Sequence, residues 1–283
     1  MKELPEGWES TQVALPNDLT REVETRTVFR RTPAPAPGGR SGVIVLHELP
    51  YMRQNVFDFA DGLVAKGHEV RMPNLFGAPL EGGLSALGAD FGRFCIRKEF
   101  AVLARGRTSP VVGWLRALAN AFADELQVDG VGVVGMCFTG GFALAMLADA
   151  RVLAPVLAEP SLPFHVGLTP ARRASRGADL GLSRSDLNKA SDRKIDVIGL
   201  RYASDCLTGT RFARLEEALG DRFFAVEFDG TGHSVFTKDQ QPVALVALED
   251  FLDDKLKGGD GALWRRTIGS QPDRRAPVTE SGA

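Results

Sequence analysis

From about residue 42 onward, the chain alternates short apolar runs with segments whose apolar residues recur at helical spacing. Residues 43–46, 70–72, 131–135, 152–157, 195–200 and 223–228 are almost continuously hydrophobic, the pattern of strands in a sheet covered on both faces. Between them, Val56, Phe59, Leu63 and Val64 share one helical face that ends at Gly67. Ser109 before Pro110 reads as a cap and first-turn proline, and Val111, Leu115, Leu118, Phe122 and Leu126 continue the helix. Phe212, Leu215 and Leu219 before Gly220, and Leu245, Leu248 and Leu252 before Gly258, mark two more. The alternation predicts an α/β fold: a single domain with a mostly parallel sheet, helices on both faces, and functional groups on loops at the carboxyl ends of the strands.

Three segments fall outside the alternation. Residues 1–40 are polar and end in a Pro/Gly-rich run at 33–39, so they read as an N-terminal extension to a domain spanning 41–257. Residues 161–194 are rich in Arg, Ser and Asp with weak periodicity, and read as an excursion over the active-site face. Residues 258–283 lack an apolar face and read as a flexible tail.

Composition narrows the partners. With 283 residues, 44% of them apolar, the chain can enclose a core without metals or disulfides. Its 34 Lys and Arg nearly cancel 36 Asp and Glu, for a net charge of −2, so it lacks the basic field of a nucleic-acid or anionic-membrane binder. A small-molecule partner is expected, and no nucleic acid or membrane. Cys95, Cys137 and Cys206 form neither a disulfide framework nor a paired metal motif, which favours a reducing compartment. The first ten residues contain no apolar signal core and no stretch reaches the length of a membrane span. The expectation is a cytoplasmic protein, monomeric or weakly dimeric.

The sharpest chemical signal is VGVVGMCFTGGFALAMLA at 131–148, a buried strand that turns at Gly135-Met136-Cys137-Phe138-Thr139-Gly140-Gly141 into an apolar helix. Such an elbow holds its apex side chain on a strained turn and needs small neighbours where strand and helix pass closely. Cys137 occupies the apex, at a helix amino end where unpaired N–H groups and the dipole favour an anion. Three other readings compete: a small core-filling cysteine, a dinucleotide loop built on Gly135 and Gly140, and a redox-sensing thiol. The dinucleotide motif is missing its middle glycine and lies mid-chain, and no resolving cysteine is evident for the sensor.

A cysteine nucleophile needs a base, and the base needs an orienting group. His233 follows the last predicted strand on a glycine-flanked loop. His47 lies after the first predicted strand, His68 at a helix-to-strand turn, and His165 in the irregular excursion. For the acid, Asp205 after the strand at 195–200 is preferred over Asp229, which would have to fold back within its own loop. Nucleophile, acid, histidine is the chain order of α/β-hydrolases.

With these residues in place, the sequence resembles the dienelactone hydrolase family, a cysteine-nucleophile branch of the α/β-hydrolases, from about residue 42 to 252. The resemblance rests on LHE at 46–48, GMCFTGG at 135–141, the acid after the next-to-last strand, and GHS at 232–234. It implies cofactor-free, metal-free hydrolysis of a small ester or lactone through a Cys137, His233, Asp205 triad and an acyl-cysteine. It further implies that Glu48 matches a glutamate that holds the resting thiol, and that the backbone N–H groups of Leu49 and Phe138 form the oxyanion hole. Two positions depart from the family. Thr139 stands where the second elbow glycine is expected, and Thr237 stands where the family has an arginine that grips a substrate carboxylate. Arg93 and Arg97 are the remaining candidates for such a contact. A noncatalytic scaffold of the same fold, or an acyltransferase using the same triad, are the alternatives.

Overall fold

A computed structural model describes residues 3–35, 40–49, 52–76, 106–163, 169, 171, 177–259 and 261–269. Among these residues the centre is an eight-stranded sheet in the order β1-β2-β4-β3-β5-β6-β7-β8. The strands are β1 (Glu9–Asn17), β2 (Glu22–Arg31), β3 (Gly42–Leu46), β4 (Glu69–Pro73), β5 (Val131–Met136), β6 (Val152–Ala158), β7 (Val197–Tyr202) and β8 (Phe223–Phe228). β1 pairs antiparallel with β2 and β2 antiparallel with β4, and every other neighbouring pair is parallel. β3 and β5 are buried at every position, as their unbroken apolar runs require, and β4 is buried throughout although it carries Glu69 and Arg71, which pair with each other at 3.3 Å.

Helices cover both faces. On one side lie α1 (Gln54–Ala65), α6 (Pro242–Lys257) and α7 (Gly261–Gly269), whose Phe57, Phe59, Leu248, Phe251 and Trp264 join one core layer. On the other lie α2 (Val111–Leu126), α3 (Gly140–Leu147), α4 (Arg184–Asp192) and α5 (Arg211–Leu219), with Trp114, Phe122, Phe142, Phe212 and Leu215 in the second layer. The single-domain, mostly parallel α/β architecture expected from the alternation is the one observed. Among the described residues no helix is long and apolar enough to cross a membrane.

The boundaries differ from the sequence expectation in three places. Residues 1–40 are more than an extension, because β1 and β2 continue the sheet. Trp8 is buried edge-on to Phe57 at 5.2 Å, and its indole N–H donates to Asp61 at 2.7 Å. These strands look polar because β1 is an edge strand with one face largely in water, which leaves only Val13 and Leu15 as inward signals. The excursion at 161–194 ends in the regular helix α4, packed beside α3. Its N-cap is Ser183, whose hydroxyl accepts from the Asp186 N–H at 3.1 Å, a Ser-x-x-Asp capping pattern that polar composition masks.

Of the expected tail, residues 261–269 form α7. Its Trp264 is fully buried edge-on to Phe224 at 4.7 Å and Phe251 at 5.1 Å, and its indole N–H donates to Asp254 at 3.0 Å. One large aromatic suffices to dock a helix whose apolar stripe is otherwise thin. We predict that Trp264→Ala costs about 3–5 kcal/mol, the usual range for deleting a buried aromatic. A urea unfolding curve matching wild type would show that α7 contributes nothing to the fold.

Candidate active site

The carboxyl ends of five adjacent parallel strands deliver the polar groups to one edge of the sheet. β3 ends in His47 and Glu48, β5 in Cys137, β6 in Glu159, β7 leads to Asp205, and β8 leads to His233.

Cys137 sits at the apex of the elbow, in a 3-10 turn (Cys137–Thr139) between β5 and α3, with φ +52°. A non-glycine residue there is strained, as expected where the turn holds a side chain out of the strand. The close passage explains the flanking glycines. A Cβ on Gly140 would stand 2.7 Å from the Pro160 Cα, and one on Gly135 would collide with the Thr139 carbonyl. Thr139, where the family resemblance calls for glycine, is accommodated because its buried hydroxyl is fully used. It accepts from the Met136 N–H at 3.0 Å and lies 2.8 Å from the Leu46 carbonyl, to which it donates, so the elbow is tied to the end of β3.

His233 Nδ1 lies 2.8 Å from Asp205 Oδ2. Asp205 Oδ2 also accepts from the Thr208 hydroxyl at 2.7 Å, and Oδ1 from the Leu207 N–H at 2.9 Å. Burial opposes ionisation of Asp205, but these hydrogen bonds outweigh it and hold the carboxyl below its ordinary value. Asp229, the competing acid, is exposed beyond the end of β8. The His233 loop is itself fixed by Asp239, whose Oδ2 accepts from the His233 N–H at 2.9 Å.

The other ring nitrogen, His233 Nε2, is buried and makes no hydrogen bond among the described residues. Cys137 is a neighbour of the ring without meeting hydrogen-bond geometry. Burial alone would lower the imidazole, but the bond to Asp205 and the nearby Cys137 and Glu159 override it and push it up to about 11.

Glu48 does not hydrogen-bond to the thiol. Its Oε2 accepts from the Ser234 hydroxyl at 2.7 Å and its Oε1 from the Thr237 hydroxyl at 2.6 Å, so the carboxylate ties the end of β3 to the His233 loop. Thr237, where the sequence resemblance would call for an arginine, donates its hydroxyl to Glu48 instead. The thiol's hydrogen-bond contact is instead Ser161, whose Oγ lies 3.4 Å from Cys137 Sγ and whose N–H donates to the Cys137 carbonyl at 3.0 Å. Arg93, Arg97, Cys95 and His165 lie outside the described residues. Leu49 is half-buried just after β3, and Phe138 is buried just after Cys137.

Sequence reasoning missed Ser161 and Glu159. Glu159 is 1% exposed at the end of β6 with φ +37°, and its Oε2 accepts from the Val235 N–H at 3.3 Å. Burial, then the negative charge of Glu48, raise this carboxyl well above its usual range, with His233 opposing them. Such a shift means that the folded chain binds a proton that the unfolded chain has lost, so stability falls as pH rises past the ordinary glutamate value of 4.5. We predict that Glu159→Gln is progressively more stable than wild type as pH rises from 4.5 toward 8, read as urea midpoints. A gap that stays constant with pH would mean that Glu159 ionises freely in the folded protein.

No protein-family model matches the chain, and no curated protein matches its sequence. Its fold does match solved structures. A candidate dienelactone hydrolase of Klebsiella pneumoniae subsp. pneumoniae aligns with TM-score 0.58 at 15% identity, over 88% of this chain and 98% of that one. The 2,6-dihydroxy-pseudo-oxynicotine hydrolase aligns with TM-score 0.57 at 16% identity, over 88% of this chain and 69% of that one. A dienelactone hydrolase-like promiscuous phosphotriesterase from metagenomic libraries aligns with TM-score 0.53 at 14% identity, over 92% of this chain and 94% of that one. At such identities the likeness defines the class by architecture: the chain has the α/β-hydrolase fold.

Proposed function

We propose that this chain is a hydrolase of the dienelactone hydrolase type, cleaving a small ester or lactone through an acyl-cysteine formed on Cys137. The observation that carries the reading is the meeting of a strained strand-to-helix cysteine with the Asp205-paired His233, whose second nitrogen is buried beside it. A core-filling cysteine has no need of positive φ or of an oriented imidazole as neighbour.

In the acylation step the Cys137 thiol gives its proton to His233 and the sulfur attacks the ester carbonyl, forming a C–S bond while the carbonyl oxygen takes up negative charge opposite the Leu49 and Phe138 N–H groups. The tetrahedral species collapses, the C–O bond to the alcohol breaks, and His233 gives its proton to the departing oxygen. In a lactone that alcohol stays attached to the acyl group. Water then attacks the thioester, losing its proton to His233, and the C–S bond breaks to release the acid and restore Cys137. Asp205 keeps the ring in the tautomer that presents Nε2 throughout. Glu48, held by Ser234 and Thr237, is assigned to tethering the His233 loop to β3 rather than to holding the thiol.

The substitution of Thr237 for the family's arginine favours substrates whose recognition does not depend on a carboxylate at that point. The test is a panel of small esters and lactones, with and without a carboxylate, at neutral pH. Turnover of the uncharged members supports the reading. A thiol inert to every member would favour a noncatalytic scaffold. Turnover that appears only on adding an alcohol or thiol acceptor would favour acyl transfer.

A further inference from the structure

His47 is the first residue after β3, completely buried, and none of the steps above uses its ring. Its Nδ1 lies 3.1 Å from the Glu48 carbonyl oxygen, and the Leu75 N–H donates to its Nε2 at 3.1 Å. The second contact settles the tautomer. A backbone N–H only donates, so Nε2 carries the lone pair, the ring proton is on Nδ1, and Nδ1–H donates to Glu48. Burial pushes the imidazole down to about 4, so the ring stays neutral over the ordinary working range. It packs against Phe76 at 4.2 Å, and Phe76 meets Phe138 edge-on at 5.7 Å.

The group that His47 holds is one end of a rigid unit. The Glu48 carbonyl and the Leu49 N–H belong to the same planar peptide and point to opposite sides of it, so fixing one fixes the other. The preceding stretch is pinned independently, since the Thr139 hydroxyl ties the Leu46 carbonyl to the elbow. The chain between Leu46 and Leu49 is therefore clamped against the turn that carries Cys137 and Phe138. Preorganised donors stabilise developing charge only when they are already aimed, because nothing then has to reorganise during the reaction.

We infer that His47 is a positioning residue for the oxyanion hole, its Nδ1–H orienting the Glu48–Leu49 peptide so that the Leu49 N–H faces the carbonyl oxygen attacked by Cys137. The inference rests on the ester-hydrolase reading. A purely structural histidine would matter through its bond to Leu75, which joins the loops after β3 and β4. The two nitrogens thus have separable jobs.

Two substitutions separate them. His47→Gln keeps an acceptor near Nε2 for Leu75 and loses the donor at Nδ1. His47→Asn keeps a donor near Nδ1 and leaves the Leu75 N–H unmet. Three readouts are needed: kcat and KM for p-nitrophenyl acetate, the rate of Cys137 alkylation by iodoacetamide, and the urea midpoint. Alkylation displaces iodide at a saturated carbon and develops no oxyanion.

For His47→Gln we expect kcat to fall about 100-fold, the scale of a misplaced oxyanion donor, with KM, alkylation and the urea midpoint near wild type. For His47→Asn we expect kcat within about threefold of wild type, since the donor that aims the peptide is kept, and a lower urea midpoint. Should His47→Gln not fold, His47→Ser, which lacks both ring nitrogens, carries the kinetic comparison, with the same fall in kcat and unchanged alkylation. Wild-type kcat in His47→Gln, an equal loss in His47→Asn, or a parallel fall of kcat and alkylation would each overturn the inference. The hydrolase reading fails separately: the wild type would then leave the ester intact, or Cys137→Ala would cleave it as fast, and either result overturns both.

Discussion

Cys137→Ala is expected to reduce ester turnover by about 10⁶-fold, as loss of the nucleophile does in serine triads, while leaving the fold unchanged. The substitution removes one sulfur from a half-buried side chain, and alanine inherits the same backbone without added bulk. The cavity left is small and at the site edge, so little stability should be lost. Intact-mass analysis after a slow-turnover ester should show one acyl adduct on the wild type and none on the variant. An adduct that persists in Cys137→Ala, carried by Cys95 or Cys206, would remove Cys137 from the reaction.

The second large effect is expected at Asp205. Asp205→Asn is isosteric and can still accept from the Leu207 N–H, so the loop should hold. It cannot stabilise an imidazolium, and it presents a donor or a weaker acceptor to Nδ1 at a contact now 2.8 Å long. The expected cost is about 10⁴-fold in kcat, as for the equivalent amide in serine triads, approaching that of His233→Ala. Because Asp205 is also a cause of the raised His233 value, the residual activity should shift its pH dependence toward lower pH. Asp229→Asn, on an exposed residue, should stay near wild type. A crippled Asp229→Asn beside an active Asp205→Asn would reverse the assignment of the acid.

The parts of this site that were legible in the sequence are those whose cause is local. The elbow is written in consecutive residues: an apolar strand, glycines where Cβ atoms would collide with Pro160 and Thr139, and an apolar helix. The order of Cys137, Asp205 and His233 could be read because parallel strands bring their carboxyl ends to one edge whatever lies between them. The preference for Asp205 over Asp229 came from loop geometry; in the fold Asp205 Oδ2 lies 2.8 Å from His233 Nδ1, and Asp229 is exposed.

Long-range matters were not legible. Glu48 could be placed at the correct strand end, but not its partners, because Ser234 and Thr237 are 186 and 189 residues away and reach it only across the folded edge. Glu159 and Ser161 follow a strand with no motif to mark them, and their contacts with Val235 and Cys137 exist only once the loops after β5, β6 and β8 converge. Strands β1 and β2 were hidden by the water-facing side of the sheet, and α7 by its reliance on Trp264.

The sequence by itself thus determined the fold class, the turn that holds Cys137 and the chain order of Cys137, Asp205 and His233, since periodicity and steric demands act between near neighbours. The tertiary structure alone decided which hydroxyls hold Glu48, where a buried carboxyl sits beside the histidine, and which nitrogen of His47 carries a proton. Each of these depends on hydrogen-bond partners brought from distant loops, and no local pattern encodes a partner's distance.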